Sequence, residues 1–246
     1  MITYIGGNKL AKRPVFLIKD TQPFYAEEFI DFKFYSGFAE VQKKKSIISL
    51  HDTFLERYPN RKVLEISSKS ENSLGVQLSA FNLIIQTKTE GDFSVESAFQ
   101  SSKVFENGGP YKDMLKMTSK EAKKDSRLKS SGRLVCFEYF GRRFNLNPTT
   151  YFYNWLYINA LSLHEVLGDK LLEFDSFTDI EFNPDKSINC QARAAAIYVS
   201  LRKKGMLERA LESKELFLKT VYLESNNIKD NNIIDEAEQI SIWSKL

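Results

Sequence analysis

The chain has 246 residues, of which 42% are hydrophobic and 27% are charged, and its formal net charge is +3. This composition is that of a globular protein long enough to bury a sizeable core, and it is too nearly neutral to indicate a nucleic-acid binder by itself. No apolar run reaches membrane-spanning length, and the N-terminus lacks the basic start and apolar core of a signal peptide. We therefore expect a cytoplasmic protein that does not enter a membrane.

The rare residue types narrow the chemistry further. Cys136 and Cys190 are far apart in the sequence and provide neither a disulfide framework nor a metal-ligand spacing. The two histidines, His51 and His164, argue against a His-rich metal site and against a Ser-His-Asp hydrolase. The composition therefore predicts no metal site.

Apolar runs in the first part of the chain predict short strands. A flexible leader is expected over residues 1–12, and the core is expected to begin with a strand at 13–18. Alternating apolar residues predict a second strand at 29–35, and further strands are expected at 63–67 and around 83–85.

One long helix is predicted between these strands. Val41, Ile48 and Leu55 recur at helical spacing, which predicts a helix over residues 41–58. Pro59 directly follows and cannot continue it.

Residues 94–105 carry the most informative pattern. They predict a short helix that the Gly-Gly-Pro of residues 108–110 ends. On that helix Glu96, Gln100 and Lys103, spaced i, i+4 and i+7, fall on one face. The row could supply an acid or base, an orienting hydrogen-bonding group and a nucleophile for one substrate. Alternatively, a Glu in the first turn and a Lys in the last turn simply complement the helix dipole.

A basic segment follows this helix. Between Lys112 and Arg133, eight basic residues outnumber three acidic ones, a net charge of +5. The basic residues are Lys112, Lys116, Lys120, Lys123, Lys124, Arg127, Lys129 and Arg133. Such a run is either the solvated face of a helix or a surface that follows phosphates. Arg133 has the planar donor fork that suits a diphosphate.

The C-terminal part predicts a helix and then a polar loop. The helix is expected over residues 151–163, where Trp155 either belongs to the core or stacks on a base. Residues 177–189 are polar with interleaved apolar residues, which suits an ordered loop that lines a pocket. In an extended backbone Asp179 and Glu181 would point to the same side. A solvated acidic loop is the alternative.

The end of the chain is predicted to be helical and then polar. An Ala-rich helix is expected to end at Gly205, and one or two more helices follow up to residue 224. Residues 225–246 are expected to form a polar linker and an amphipathic tail.

Several motifs carry a resemblance to a known family. The pattern Glu-x-x-x-Gln-x-x-Lys-x-Phe from Glu96 to Phe105 resembles the signature helix of the NADAR superfamily, the YbiA-like N-glycosidases. Residues 78–82, Leu-Ser-Ala-Phe-Asn, are similar to that family's Leu-Ser-Asn-Phe strand. Further motifs resemble a narrower branch, the NADAR antitoxins paired with DarT-type DNA ADP-ribosyltransferase toxins. These motifs are at residues 68–70, 79–83, 108–111, 155–160, 178–184 and 187–193. Together these motifs span roughly residues 13 to 222.

The resemblance implies an α+β fold with one mainly helical, YbiA-like domain over residues 13–224 and a few short strands near its N-terminal half. It implies that Lys103 attacks the substrate and forms a Schiff base with a ring-opened ribose, while Glu96 or Asp179 moves protons. For Lys103 to be a nucleophile, burial or nearby cations must lower its pKa. This chemistry requires no metal and no organic cofactor.

The resemblance also implies a set of ligand-binding residues. Phe81 would be a stacking surface, although it could instead belong to the core, and Asn82 would be a hydrogen-bonding group. The expected ligand-binding residues are Lys69, Ser79, Phe81, Asn82, Gln100, Gly109, Arg133, Trp155, Glu181, Asn183, Asn189 and Arg193.

The implied function is that of an antitoxin ADP-ribosyl glycohydrolase, which removes ADP-ribose from modified guanine in DNA. Modified DNA is then the expected substrate, ADP-ribose the product, and a cognate DarT-type toxin a second candidate partner. Two alternatives stay open: an N-glycosidase of a phosphorylated small metabolite, as in the riboflavin pathway, and a non-catalytic protein that binds the toxin through its tail. Typical superfamily members follow the aspartate with Trp-Gly-x-Gly, whereas residues 180–183 are Ile-Glu-Phe-Asn, which argues against the riboflavin-pathway activity.

Overall fold

The computed structural model describes residues 2–5, 8–37 and 39–222. They form the predicted α+β fold, in which helices outweigh strands. The C-terminal tail that the sequence predicts over residues 225–246 lies outside the described residues. In the described part of the chain, no helix combines the length and apolar character needed to cross a membrane.

The largest sheet has five strands: β1 (Ile2–Ile5), β2 (Asn8–Ile18), β3 (Tyr25–Lys33), β4 (Val63–Glu65) and β10 (Ser176–Thr178). The long strand β2 pairs antiparallel with β1, β3 and β10. The short strands β10 and β4 run parallel, with Thr178 opposite Glu65. This pairing brings two segments that are distant in sequence to one edge of the sheet.

The structure corrects the flexible leader that was predicted over residues 1–12, because residues 2–5 and 8–12 lie in strands. Strand β2 begins at Asn8, five residues before the predicted strand, and β1 pairs with its first residues. Ala11 lies opposite Phe32 and is buried, so the strand is anchored before Arg13. Because Ala11 is small and is followed by Lys12 and Arg13, the strand signal in the sequence is weak there.

Helix α1 (Glu40–Arg57) packs on β3, but through a different face than predicted. Val41 and Ile48 of the predicted stripe are 60% and 44% exposed, whereas Leu50 and Phe54 are fully buried. The stripe that packs on the sheet, Ile47, Leu50 and Phe54, has both three- and four-residue spacings. Such a stripe stays on one side of a helix with 3.6 residues per turn.

The middle of the chain forms two hairpin-like sheets and several short helices. In chain order the elements are α2 (Ser73–Gln77), β5 (Ile84–Thr87), β6 (Gly91–Ser94), α3 (Val95–Ser101), β7 (Lys103–Phe105), a 3-10 helix (Lys112–Lys116), α4 (Ser119–Lys124), α5 (Arg127–Ser130), β8 (Leu134–Tyr139) and β9 (Arg142–Phe144). Strand β5 pairs with β6, and β7, β8 and β9 form a second small sheet.

The helix predicted over residues 94–105 is shorter than expected. Helix α3 ends at Ser101, and Lys103 begins strand β7, where it pairs with Phe137. The hydroxyls of Ser101 and Ser102 both donate to the carbonyl oxygen of Ala98, at 2.9 and 2.7 Å, and so compete with continued helical hydrogen bonding. The prediction that Glu96, Gln100 and Lys103 lie in a row on one helix face is therefore wrong.

The C-terminal half supplies the centre of the core. Its helices are α6 (Tyr151–Ser162), α7 (Glu165–Leu171), α8 (Gln191–Lys203), α9 (Leu207–Leu211) and α10 (Lys214–Tyr222). Helix α6 agrees with the prediction over 151–163 and is buried on nearly every face. Four buried alanines of α8 allow α6 and α8 to approach closely, so these two helices form a rigid floor for the site.

Candidate active site

A cavity of about 350 Å³ opens where α3, α6 and the loops after β4, α2 and β10 meet. It collects residues predicted from distant parts of the sequence. Those in its lining are Lys69, Ser79, Phe81, Glu96, Gln100, Lys103, Asp179, Glu181 and Asn189. The three residues predicted to be catalytic thus share one cavity, although they do not share one helix face.

Lys103 lies in the wall of this cavity and is only 6% exposed. Its amine lies 5.0 Å from the centre of the Phe99 ring. Burial and the cation of Lys123 lower the pKa of Lys103 to about 8, while Glu96 opposes the change. A substantial fraction of the amine is therefore neutral near neutral to mildly alkaline pH, as a nucleophile requires.

Gly109 supports Lys103 from behind and does not line the cavity. It has a left-handed backbone, with φ of +85°, and a Cβ at this position would collide with the backbone oxygen of Lys103. Only glycine combines that conformation with so close an approach. Gly109, which was predicted to bind ligand, lies against the backbone of Lys103 and outside the cavity lining.

Glu96 and Gln100 form a buried hydrogen-bonded pair beside Lys103. The backbone N–H of Glu96 donates to the oxygen of Ala80 at 2.9 Å, which fixes the first turn of α3 against the loop after α2. The Nε2 of Gln100 donates to Oε1 of Glu96 at 2.9 Å, and Nζ of Lys123 lies 3.8 Å from the same oxygen. The carboxylate is thus oriented from two sides.

Asp179 lies at the end of β10, where the chain turns. Its Oδ1 accepts the backbone N–H groups of Glu181 and Phe182 at 3.1 and 3.2 Å. This segment therefore forms a turn and not the extended backbone that would point Asp179 and Glu181 to the same side. Glu181 is exposed at the rim and pairs with Lys43 at 3.2 Å, whereas Asp179 faces the interior.

Glu65 is a buried carboxylate beside Asp179 that the sequence analysis did not single out. Its two oxygens accept the backbone N–H of Ile180 at 2.8 Å and the hydroxyl of Thr178 at 2.6 Å, which are the neighbours of Asp179 on either side. Burial, together with the charge of Glu65, raises the pKa of Asp179 well above its usual range. A charged residue inside the apolar run of residues 63–66 was the available signal.

Thr178 extends this contact to a histidine. The Oγ1 of Thr178 lies 2.8 Å from Nε2 of His51 on α1. Burial lowers the pKa of His51 to about 4, so the imidazole is neutral at physiological pH. His51, Thr178 and Glu65 therefore form one hydrogen-bonded chain under the turn that carries Asp179.

Other lining residues come from contacts that local sequence patterns do not reveal. Gln191 accepts the backbone N–H of Ala80 and donates to the oxygen of Ile66, both at 2.6 Å, and so joins two loops of the cavity. Tyr153 lines the floor, and its burial raises the pKa of its phenol far above the usual value. Lys123 lines the cavity and covers the Phe81 ring at 5.2 Å.

Three predicted ligand-binding residues have structural contacts outside the cavity lining. The amide of Asn82 donates to the oxygen of Val76 at 2.9 Å. The amide oxygen of Asn183 accepts the backbone N–H of Asp185 at 3.1 Å. Trp155 is buried in the core, 4.8 Å from the Phe144 ring, which matches the core alternative for this residue. 

Two predicted arginines also lie outside the lining. Arg133 is exposed and pairs with Glu106 at 2.7 Å. Arg193 donates to the oxygen of Ile188 and to Glu27, at 2.9 and 3.0 Å, and so anchors the base of the loop that carries Asn189. These contacts hold Arg193, which was predicted to bind ligand, outside the cavity lining.

Two buried polar atoms of the cavity residues have no hydrogen-bond partner among the described residues: Oε1 of Gln100 and Nδ2 of Asn189. One is an acceptor and the other a donor, which are the groups that a polar ligand would satisfy. In the described part of the chain, no group of three or more His, Cys, Asp or Glu side chains is placed to hold a metal ion.

Comparison with known protein families matches residues 11–231 to the family described as DarT1-associated NADAR antitoxin. No curated protein matches the chain. The family match includes every residue of the cavity lining. Because it extends over most of the 246 residues, the chain belongs to the DarT1-associated NADAR antitoxin family.

Proposed function

We propose that this antitoxin is an enzyme that removes ADP-ribose from guanine bases in DNA by cleaving the N-glycosidic bond between ribose and base. The observation that carries the proposal is Lys103: a buried amine with a lowered pKa that shares a cavity with Glu96 and Asp179. Family membership supports a role against a DarT1-type toxin. The cavity supports a catalytic form of that role.

The proposed first step is attack by Lys103. Its neutral amine forms a bond to the anomeric carbon of the ribose, and the bond from that carbon to the base nitrogen breaks. Asp179 gives its proton to the leaving nitrogen, a role favoured by burial and by the nearby charge of Glu65, which raise its pKa well above the usual range. Glu96, beside the amine, accepts the proton that the attacking nitrogen loses.

The second step releases the sugar. Glu96 returns its proton to the ring oxygen, the bond from that oxygen to the anomeric carbon breaks, and the lone pair of the Lys103 nitrogen forms a protonated imine with the open-chain ribose. Water then adds to the imine carbon, with Asp179 or Glu96 taking its proton, and the bond to Lys103 breaks. The products are the free base and ADP-ribose, and the lysine returns to its starting state.

The surroundings of the cavity suit an anionic substrate. Lys69, Lys123, Lys129 and Lys186 line it together with the carboxylates. Lys123 and Lys129 belong to the basic segment of residues 112–133, so part of this run faces the cavity. Phosphate groups of ADP-ribose and of the DNA strand would neutralise these cations.

The proposal is tested with Lys103→Met, which removes the amine but keeps most of the side-chain length. Because the amine is buried, an apolar replacement should not lower stability, and circular dichroism serves as the folding control. We expect release of ADP-ribose from a modified oligonucleotide to fall by about 10³-fold or more.

The matched control is Lys129→Met, another lysine of the cavity wall, which should keep turnover within about tenfold of the wild type. Borohydride added during turnover should attach the sugar covalently to the wild type and not to Lys103→Met, since an imine can be reduced. Turnover by Lys103→Met close to that of the wild type would refute the nucleophilic role.

A further inference from the structure

The amide of Gln100 has a defined orientation. Its nitrogen donates to Oε1 of Glu96 at 2.9 Å, and the carboxylate oxygen is the acceptor of this contact. The amide oxygen of Gln100 therefore points elsewhere. That oxygen is buried, has no hydrogen-bond partner among the described residues, and belongs to a side chain that is 6% exposed and lines the cavity.

A buried acceptor without a partner favours a ligand that donates to it. A phosphate at neutral pH is an acceptor and does not fit this position, whereas a sugar hydroxyl does. Gln100 is joined through Glu96 to the site of attack, since Glu96 binds the Gln100 amide and acts electrostatically on the Lys103 amine. The donor is therefore expected close to the carbon that Lys103 attacks.

We propose that the amide oxygen of Gln100 accepts a hydrogen bond from the 2-hydroxyl of the ribose that Lys103 attacks, and so selects ribose over 2-deoxyribose. This inference rests on the proposed function. The 2-hydroxyl is on the carbon next to the anomeric carbon, which makes it the nearest donor of the sugar to the reacting centre.

The selection has a chemical purpose in a DNA substrate. A guanine that carries ADP-ribose has two glycosidic bonds, one to the added ribose and one to the deoxyribose of the strand. Cleavage of the second bond would leave an abasic site. Deoxyribose lacks the 2-hydroxyl, so it would leave the Gln100 oxygen buried without a partner, which disfavours its binding in the attack position.

The test compares two oligonucleotides of one sequence, in which guanine carries either ADP-ribose or the analogue that lacks the 2-hydroxyl on the attached ribose. For the wild type we expect kcat/KM to favour the ribose form by about 10- to 100-fold. Gln100→Met has a similar length and no hydrogen-bonding atoms, and it should lower this preference to about threefold or less, mainly by slowing the ribose form.

The matched control is Asn189→Ala, which removes the other unpartnered polar group of the cavity. It should slow both substrates and keep the wild-type preference. The inference would be overturned if Gln100→Met kept the wild-type preference for ribose. It would also be overturned if only Asn189→Ala lost that preference.

Binding separates this inference from the proposed function. Calorimetry with free ADP-ribose and its 2-deoxy analogue measures the same preference without turnover, and Gln100→Met should abolish it. If the wild type released no sugar from DNA, the proposed function would fail, while a Gln100-dependent preference in binding would still support the contact. If the wild type turned over DNA but bound both nucleotides equally, only the role of Gln100 would be refuted.

Discussion

The carboxylates of Glu65 and Asp179 lie close together, and burial raises the pKa of both. At Glu65, burial outweighs the hydrogen bonds from the backbone N–H of Ile180 and the hydroxyl of Thr178, which favour the charged form. At Asp179 the charge of Glu65 adds to the effect of burial and raises the pKa well above its usual range, so we propose Asp179 as the acid of the pair. The other titratable groups that face Asp179 are Glu181, Cys190, Tyr153 and Tyr157.

Glu65→Gln should therefore change the pH dependence of turnover. An acid works only while protonated, so activity falls as the pH rises through the pKa of Asp179. Without the negative charge at Glu65 that pKa decreases, and the falling limb of kcat/KM should move to lower pH. The rising limb, where Lys103 loses its proton near pH 8, should stay in place. The glutamine can keep both hydrogen bonds, because the hydroxyl of Thr178 can accept as well as donate.

Glu181→Gln is the matched control for Glu65→Gln. Glu181 also acts on Asp179, but its side chain is 47% exposed, so water screens its charge. Its removal should shift the falling limb less. A falling limb that is identical in the wild type and Glu65→Gln would show that Asp179 is not the acid.

Among the secondary-structure elements, α1 and α3 show where sequence patterns succeed and fail. Both helices were predicted in the right place, because apolar spacing and the breaks at proline and glycine are local signals. The apolar stripe that predicted α1 is not the face that this helix buries, and the predicted end of α3 was wrong. The first depends on which stripe meets β3, and the second on the pairing of Lys103 with Phe137 across 34 residues of chain.

The face of α1 can be tested through stability. Leu50→Ala removes a fully buried side chain and should lower the free energy of unfolding by about 2–5 kcal/mol. Ile48→Ala, two residues earlier on the 44% exposed face, should change it by no more than about 0.5 kcal/mol. Urea unfolding followed by circular dichroism measures both, and equal losses would place the two side chains in equivalent environments.

At the scale of the whole molecule, the residues that line the cavity could be predicted from the sequence better than the long-range contacts that bring them together. Lys103, Glu96 and Asp179 were predicted to be catalytic, and the cavity contains all three. Glu65 and Gln191 were missed because their contacts, with Ile180 and Ala80, join segments more than 100 residues apart. No local pattern encodes such contacts.

If the proposed DNA substrate is correct, surface lysines outside the cavity should set how its binding responds to salt. Lys120 and Lys124 are exposed on α4 and lie outside the cavity lining, whereas Lys123 is part of it. If both exposed lysines contact a single strand, Lys120→Gln with Lys124→Gln should make the slope of log affinity against log salt less steep by about 1.4. The measurement uses inactive Lys103→Met and modified oligonucleotides of several lengths.

The control for this measurement neutralises Lys203 and Lys204, an exposed pair at the end of α8. That change should leave the slope close to the parent value. Affinity that is independent of oligonucleotide length and unaffected by the α4 pair would indicate that the basic segment is only a solvated face.

The parallel pairing of β4 with β10 has a consequence for protein synthesis. Lys103 and Glu96 leave the ribosome well before Asp179, and the link from Gln191 to Ala80 forms last among these contacts. A growing chain that ends before β10 has Lys103 and Glu96 but lacks Asp179, the strand that pairs with β4 and the α8 part of the cavity floor. If the proposed function holds, we therefore expect neutralising capacity to be acquired late in synthesis, and a translation product cut short before β10 to give the cell no protection.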